Sequence, residues 1–137
     1  MAYSLTNDSG YKGSRNASRK YAKSLWFNLD NGAGTTIDDV ILVAREDITI
    51  LSADIVYVDA TTGTVAAGNA KIGTTVGGAE IVAATAYENS ATVGTVTALT
   101  LASSKVSAGG MVSVRHTGVA ATAAGQAYVQ IEYSIDK

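Results

Sequence analysis

From Gln126 to Ile135 the side chains alternate. Ala127, Val129, Ile131, Tyr133 and Ile135 fall in one set, and Gln126, Gln130, Glu132 and Ser134 in the other. Successive side chains of an extended chain point to opposite faces, so this is a strand with one face in a core and the other toward water or a polar partner. Shorter segments repeat the signal. Leu25, Phe27 and Leu29 occupy alternate positions, and Thr92 to Leu101 alternates through Val93, Thr95, Thr97, Leu99 and Leu101. Ile48 and Ile50 run in one phase and Leu51, Ala53, Ile55 and Tyr57 in the other, which predicts a bulge near Leu51. Val40-Ile41-Leu42-Val43-Ala44 is apolar on both faces, as in a strand between two layers or under a partner subunit. Breaks fall at Asp30 to Gly34, Ala60 to Gly63, Gly77-Gly78, Gly109-Gly110 and the small-residue loop Gly118 to Gly125. The Gly77-Gly78 pair reads as a hairpin between strands at Ala70 to Thr75 and Ala79 to Ala86. With no long amphipathic helix in the pattern, the expectation is an all-β sandwich or barrel.

The 137 residues suffice for one hydrophobic core and are short for two, and the chain contains neither cysteine nor proline. Disulfides and thiolate metal sites are therefore excluded, and strand edges need protection by bulges, charges or subunit contacts. Met1 to Gly10 has no apolar stretch of the secretory kind, so the expectation is a protein made in the cytoplasm. The aliphatic run Val40 to Ala44 is far short of the roughly 20 residues of a membrane helix, so no membrane partner is expected.

The net charge of −2 conceals an asymmetry. Residues 1–23 hold Lys12, Arg15, Arg19, Lys20 and Lys23 against Asp8, a balance of +4, whereas the rest hold five basic and eleven acidic side chains, a balance of −6. Residues 1–23 also lack any apolar period and are rich in Ser, Asn, Gly and Tyr. They read as an extended, non-regular basic arm preceding a sandwich domain at 24–137. Ordering such an arm costs about 1–2 kcal/mol per residue in backbone entropy, while exposed ion pairs return roughly 0–1 kcal/mol each, so it orders only against another surface. Tyr3, Tyr11 and Tyr21 suit an interface, each offering an apolar ring and a polar tip.

The catalytic inventory is thin. His116 is the only histidine, continues the Val112, Val114 face, and reads as a strand-end or interface residue; no enzyme activity is expected. One histidine without cysteine cannot form the usual transition-metal set. Asp30, Asn31, Asp38 and Asp39 do not match the calcium-loop spacing, and the glycine pairs lack the Lys-Ser/Thr of a phosphate loop, so no metal or cofactor is expected. A basic arm with tyrosines is chemically able to grip nucleic acid, but the acidic body opposes it and an acidic protein surface is an equally good target; no nucleic-acid partner is expected.

Two stretches carry a resemblance. One is Val43-Ala44-Arg45-Glu46-Asp47-Ile48-Thr49-Ile50-Leu51-Ser52-Ala53-Asp54-Ile55-Val56. The other runs from Thr97-Ala98-Leu99-Thr100-Leu101 through Val106 to Val114 and Thr117-Gly118 to Val129-Gln130-Ile131-Glu132-Tyr133. Their succession over residues 37–135 resembles the decoration, or cement, proteins on the heads of tailed bacteriophages; Gly110, where that pattern expects an acid, departs from it. The resemblance implies a jelly-roll-like antiparallel β-sandwich, often trimeric. It implies a place on the outer capsid surface of the virion, with the major capsid protein as partner and neighbouring capsid subunits bridged against internal pressure. On that reading Tyr3, Tyr11, Lys12, Arg15, Arg19, Lys20, Tyr21 and Lys23 form the capsid-binding arm, and Trp26, Val40 and Leu42 an oligomer interface. The alternative is a carbohydrate- or receptor-binding module of a virion, with Trp26 or Tyr128 as stacking platform.

Overall fold

The computed structural model describes residues 19–136, which form a jelly-roll-like sandwich of two antiparallel sheets. The strands are β1 (Arg19–Lys23), β2 (Phe27–Asn28), β3 (Thr36–Val43), β4 (Ile48–Thr62), β5 (Asn69–Gly73), β6 (Val82–Ala86), β7 (Val96–Ala98), β8 (Lys105–Val106), β9 (Met111–Thr117) and β10 (Ala124–Ile135). One sheet has the order β3-β9-β5-β6. The other has the order β1-β10-β4-β7, with β2 also on β10 and β8 on β4.

The alternating segment at the C-terminal end builds the wall of the core. β10 pairs with β4 in a register that sets Ala127 opposite Tyr57, Val129 opposite Ile55 and Ile131 opposite Ala53, and all six side chains are buried. Residues facing each other across an antiparallel pair share a face, so one register packs both inner rows together. The register then slips: Glu132 faces Ser52 but Tyr133 faces Ile50, leaving Leu51 as the extra residue of a bulge. This is the phase change read from the sequence, and it lets Ile48 and Ile50 turn inward alongside Ala53 and Ile55. From the second sheet Val112, Val114, Ala70, Ile72 and Val82 complete the core.

One flank of the sandwich is sealed by its own chain. Leu99 N–H donates to Ala53 O at 2.8 Å in one sheet, and Ala102 N–H donates to Ile81 O at 2.7 Å beside β6. The segment 99–102 thus bridges both layers, and only Val96–Ala98 of the expected Thr92 to Leu101 strand pairs in a sheet. The loop before β10 holds a turn, with Ala123 N–H donating to Ala120 O at 3.0 Å. Gly63 ends β4 at φ +71, where an added Cβ would lie 2.9 Å from Ala123 Cα, so the position admits only glycine without strain.

Two expectations change. Arg19–Lys23, expected to be non-regular, forms strand β1, because the free side of β10 offers it a ladder. Leu25, expected on the core face with Phe27 and Leu29, is exposed. Val40 to Ala44, read as lying between two layers or under a partner subunit, falls at the end of β3, which among the described residues is an edge strand paired only with β9.

Ile131 lies fully buried at the centre of the β10 wall. Ile131→Ala should lower unfolding free energy by about 2–5 kcal/mol in urea titrations, and a loss under about 1 kcal/mol would place it outside a packed core.

Candidate interaction surface

The other flank is open, and its geometry begins with one hydroxyl. Residues 19–29 run antiparallel along β10, with Lys23 opposite Gln130 and Phe27 opposite Ala127. Between these pairs β10 has Val129 and Tyr128, whereas the edge has Ser24, Leu25 and Trp26. Ser24 keeps contact with Val129: its N–H donates to Val129 O at 2.8 Å, and its Oγ accepts from Val129 N–H at 3.0 Å and donates to Leu25 O at 2.9 Å. The hydroxyl stands in for the carbonyl that a regular ladder would supply, so Leu25 and Trp26 bulge outward opposite Tyr128. They are 78% and 60% exposed. The displaced Leu25 N–H donates to Asp39 Oδ2 of β3 at 2.8 Å, tying the two sheets together across the flank.

β3 forms the other lip. Its pairing with β9 slips by one residue, from Val40 opposite Ser113 to Leu42 opposite Val112, with Ile41 as the extra residue. Ile37, Asp39 and Leu42 therefore lie on the core side with His116, Val114 and Val112, and Asp38, Val40 and Val43 on the outer side. Asp38 is held by a two-pronged ion pair from Arg115, Nε to Oδ1 at 2.7 Å and NH2 to Oδ2 at 2.8 Å. That pairing keeps the Asp38 carboxyl below its ordinary range and raises Arg115 above its own. Both are partly solvated, so the pair is worth roughly 0–1 kcal/mol and serves chiefly to fix orientation.

Two grooves flank the Leu25–Asp39 tie. One, of about 140 Å³, is lined by Leu25, Trp26, Ile37, Asp39 and Val114. The other, of about 270 Å³, has Leu42, Tyr133 and Ile135 in its lining with Lys20, Val43 and Arg45. Among the described residues ten large apolar side chains are exposed, and six of them, Tyr21, Leu25, Trp26, Ile37, Val40 and Val43, lie on these two edges. Six of ten exposed large apolar side chains on two adjoining edges is a concentration suited to contact with other protein.

The candidate residues divide accordingly. Tyr3, Tyr11, Lys12 and Arg15 lie outside the described residues. Arg19, Tyr21 and Lys23 stand on the outer face of the β1 edge, opposite Ser134, Glu132 and Gln130. Arg19 forms an ion pair with Glu132 at 3.1 Å, and the Lys23 ammonium lies 5.3 Å from the centroid of the Tyr128 ring. Lys20 takes the opposite phase and lines the larger groove. Trp26 and Leu42 line the two grooves, while Val40 is on the outer side of β3.

His116 lies buried behind the smaller groove. Its ring stacks on Phe27 at 4.2 Å between centroids. Tyr87 OH lies 2.5 Å from Nδ1, and Nε2 lies 3.0 Å from Asn28 O and 3.2 Å from Asn31 Oδ1. A neutral ring fits this set: Nδ1 accepts from the tyrosine and Nε2–H donates to the Asn28 carbonyl. Burial pushes the imidazole down to about 4 and raises the Tyr87 phenol. The ring therefore joins β9 to β2, directly beneath the bulge. Gly118 closes over Asn31 so tightly that an added Cβ would collide with the Asn31 amide. Of the loop oxygens weighed for calcium, Asn31 Oδ1 is within hydrogen-bond reach of His116, Asp38 is engaged with Arg115 and Asp39 with Leu25.

No family model matches the chain, and no curated protein matches it. Among solved structures, it is similar to a chain of the cyanophage Pam1 capsid asymmetric unit, with a TM-score of 0.60, 14% identity, and 86% of this chain and 85% of that chain covered. At that identity the likeness establishes a shared fold.

Because the folded His116 pKa lies below its unfolded value of 6.5, the unfolded chain binds more protons between pH 6.5 and 4, and stability falls as pH drops through that window. The loss should approach about 3 kcal/mol by pH 4 as an upper bound, since one pKa unit is about 1.4 kcal/mol. Urea titrations at pH 7, 5.5 and 4.5 should show this slope, and His116→Asn should be less stable at pH 7 and lose most of the slope between pH 7 and 5.5, above the range in which the lowered carboxyls of Asp38, Glu80 and Asp136 contribute; an equal slope there in the variant would place its origin elsewhere.

Proposed function

We propose that this chain is a structural virion protein that binds the outer surface of a phage capsid, contacts the major capsid protein, and stabilises the shell by bridging neighbouring subunits. The observation that carries the reading is the fold shared over most of both chains with a component of the cyanophage Pam1 capsid asymmetric unit. The open flank supports it, because a binding protein needs apolar surface that its own core does not consume. No catalytic role, cofactor, nucleic acid or membrane enters this reading.

In this account the cations and tyrosines of residues 1–18 bind acidic ridges of the shell, and Leu25 and Trp26, adjoining them through β1, bury against apolar grooves. Each contact is weak. Repetition over the shell supplies avidity by linking many sites, without any single strong contact. Synthesis in the host cytoplasm followed by addition to the outer surface fits a chain without cysteine. The exposed indole of Trp26 beside a groove favours a second reading, a glycan-binding virion module in which a sugar face stacks on the ring; binding on a glycan array that Trp26→Ala abolishes would support it.

Empty heads of the phage that encodes the chain should capture the purified protein on co-sedimentation and melt at higher temperature when decorated. Deleting residues 1–18, or Trp26→Ala, should weaken capture about tenfold or more, equivalent to about 1.4 kcal/mol. Raising salt from 0.1 to 1 M should weaken capture only in part, because screening acts on exposed charges more than on buried rings. Absence of capture, or capture unchanged by both variants, would contradict the reading.

A further inference from the structure

The sheets differ in how their edges are protected. β6, β7 and β8 are five, three and two residues long, and the β1–β2 edge is interrupted by the Leu25–Trp26 bulge. β3 is eight residues long and, among the described residues, pairs only with β9, so its other side presents a row of backbone donors and acceptors to which no described strand pairs. Val40 and Val43 on this strand are 44% and 58% exposed. A long, apolar, unpaired edge is a template for another strand.

Its charges identify the strand that fits. The segment reads Asp38-Asp39-Val40-Ile41-Leu42-Val43-Ala44-Arg45, acidic at one end, basic at the other and aliphatic between. Lys20 of β1 joins Arg45 in the groove at the Val43 end. With Glu46 counted there, and Arg115 and Lys71 counted beside Asp38 and Asp39, the two ends carry net charges of +1 and 0, so like ends brought together would repel at the Arg45 end. We infer that the β3 edge pairs antiparallel with the β3 edge of a second copy of this chain, joining two sandwiches through one continuous sheet. Antiparallel apposition sets each Asp38–Asp39 end against the partner's Arg45 end and brings both aliphatic centres together, whereas parallel apposition sets like ends against each other. Identical strands paired antiparallel are related by a two-fold axis, so the assembly closes at two copies. This differs from the three-fold arrangement that the resemblance implies, and it stands independently of capsid binding.

The bulge at Ile41 lies near the proposed axis, so ladder pairing is expected on both sides of it. The full chain should have a light-scattering mass of about 28 kDa at about 100 μM, above the dissociation constant of a specific interface, that is, twice the chain's 14.0 kDa. Val43→Lys, and independently Arg45→Glu at an exposed position that leaves the core untouched, should each weaken dimerisation tenfold or more. Val93→Lys, an equally exposed valine away from β3, should leave the mass unchanged. Since the chain has no cysteine, Ile41→Cys should give a disulfide-linked dimer on mild oxidation. A 14 kDa or three-copy mass for the unaltered chain, or a dimer indifferent to both β3 variants, would overturn the inference. A monomer that still binds heads would overturn only this inference, and a dimer that ignores heads only the capsid reading.

Discussion

Strand β10 is held on both sides over most of its length, by β4 on one and by residues 19–28 on the other, and the rest of the molecule is arranged around that double ladder. Because its inner row must face Tyr57, Ile55 and Ala53, a slip of one residue would turn the whole row outward. The bulge at Leu51 accommodates the bend of the long β4 without losing that register. On the other side, residues 19–29 must also follow β10 while carrying one residue too many, and the excess is expelled at Leu25 and Trp26. Exposure of these two side chains is therefore a consequence of how the core is walled.

The open flank combines several features that would be unfavourable in an isolated molecule. Six large apolar side chains face solvent there, and an eight-residue edge has, among the described residues, no second strand partner. Hydrophobic burial stabilises by about 25 cal/mol per Å² of apolar surface, so covering such a flank favours association. The Ser24 hydroxyl, the Asp39 carboxylate and the His116–Tyr87 pair hold the lips in place. The flank is thus preorganised, and little ordering entropy is lost there on contact. Under the two proposals the flank divides its roles, the β1 side, continuous in sequence with residues 1–18, being assigned to the shell and the β3 side to a second copy.

Much of the fold was legible because the strand period leaves a local trace. The wall at Ala127 to Ile135, the Leu51 bulge, the Gly77-Gly78 hairpin between β5 and β6, and the break at Gly63 all follow from residue alternation and turn chemistry. The edge status of β3 was not legible, since an apolar run reads alike for a strand covered by a second layer and for one that waits for a partner. Arg19–Lys23 carries too little apolar pattern to announce a strand; it pairs because β10 is available, which is a tertiary effect. The outward turn of Leu25 depends on a serine hydroxyl entering the ladder, and Tyr87 meets His116 from 29 residues away. Neither contact leaves a signal in the spacing. Trp26, Val40 and Leu42 were singled out for surplus apolarity and lie along one flank, although on different faces of it.

The proposed function places this sandwich on a capsid, attached through the flank that residues 19–29 border. A cryo-electron microscopy reconstruction of decorated heads at side-chain resolution tests it most directly. The account predicts the sandwich on the outer shell across a boundary between capsid subunits, with Leu25 and Trp26 against the shell and the chain preceding Arg19 running along it. A sandwich bound with that flank facing solvent, or heads bearing no such density after incubation with excess protein, would contradict it.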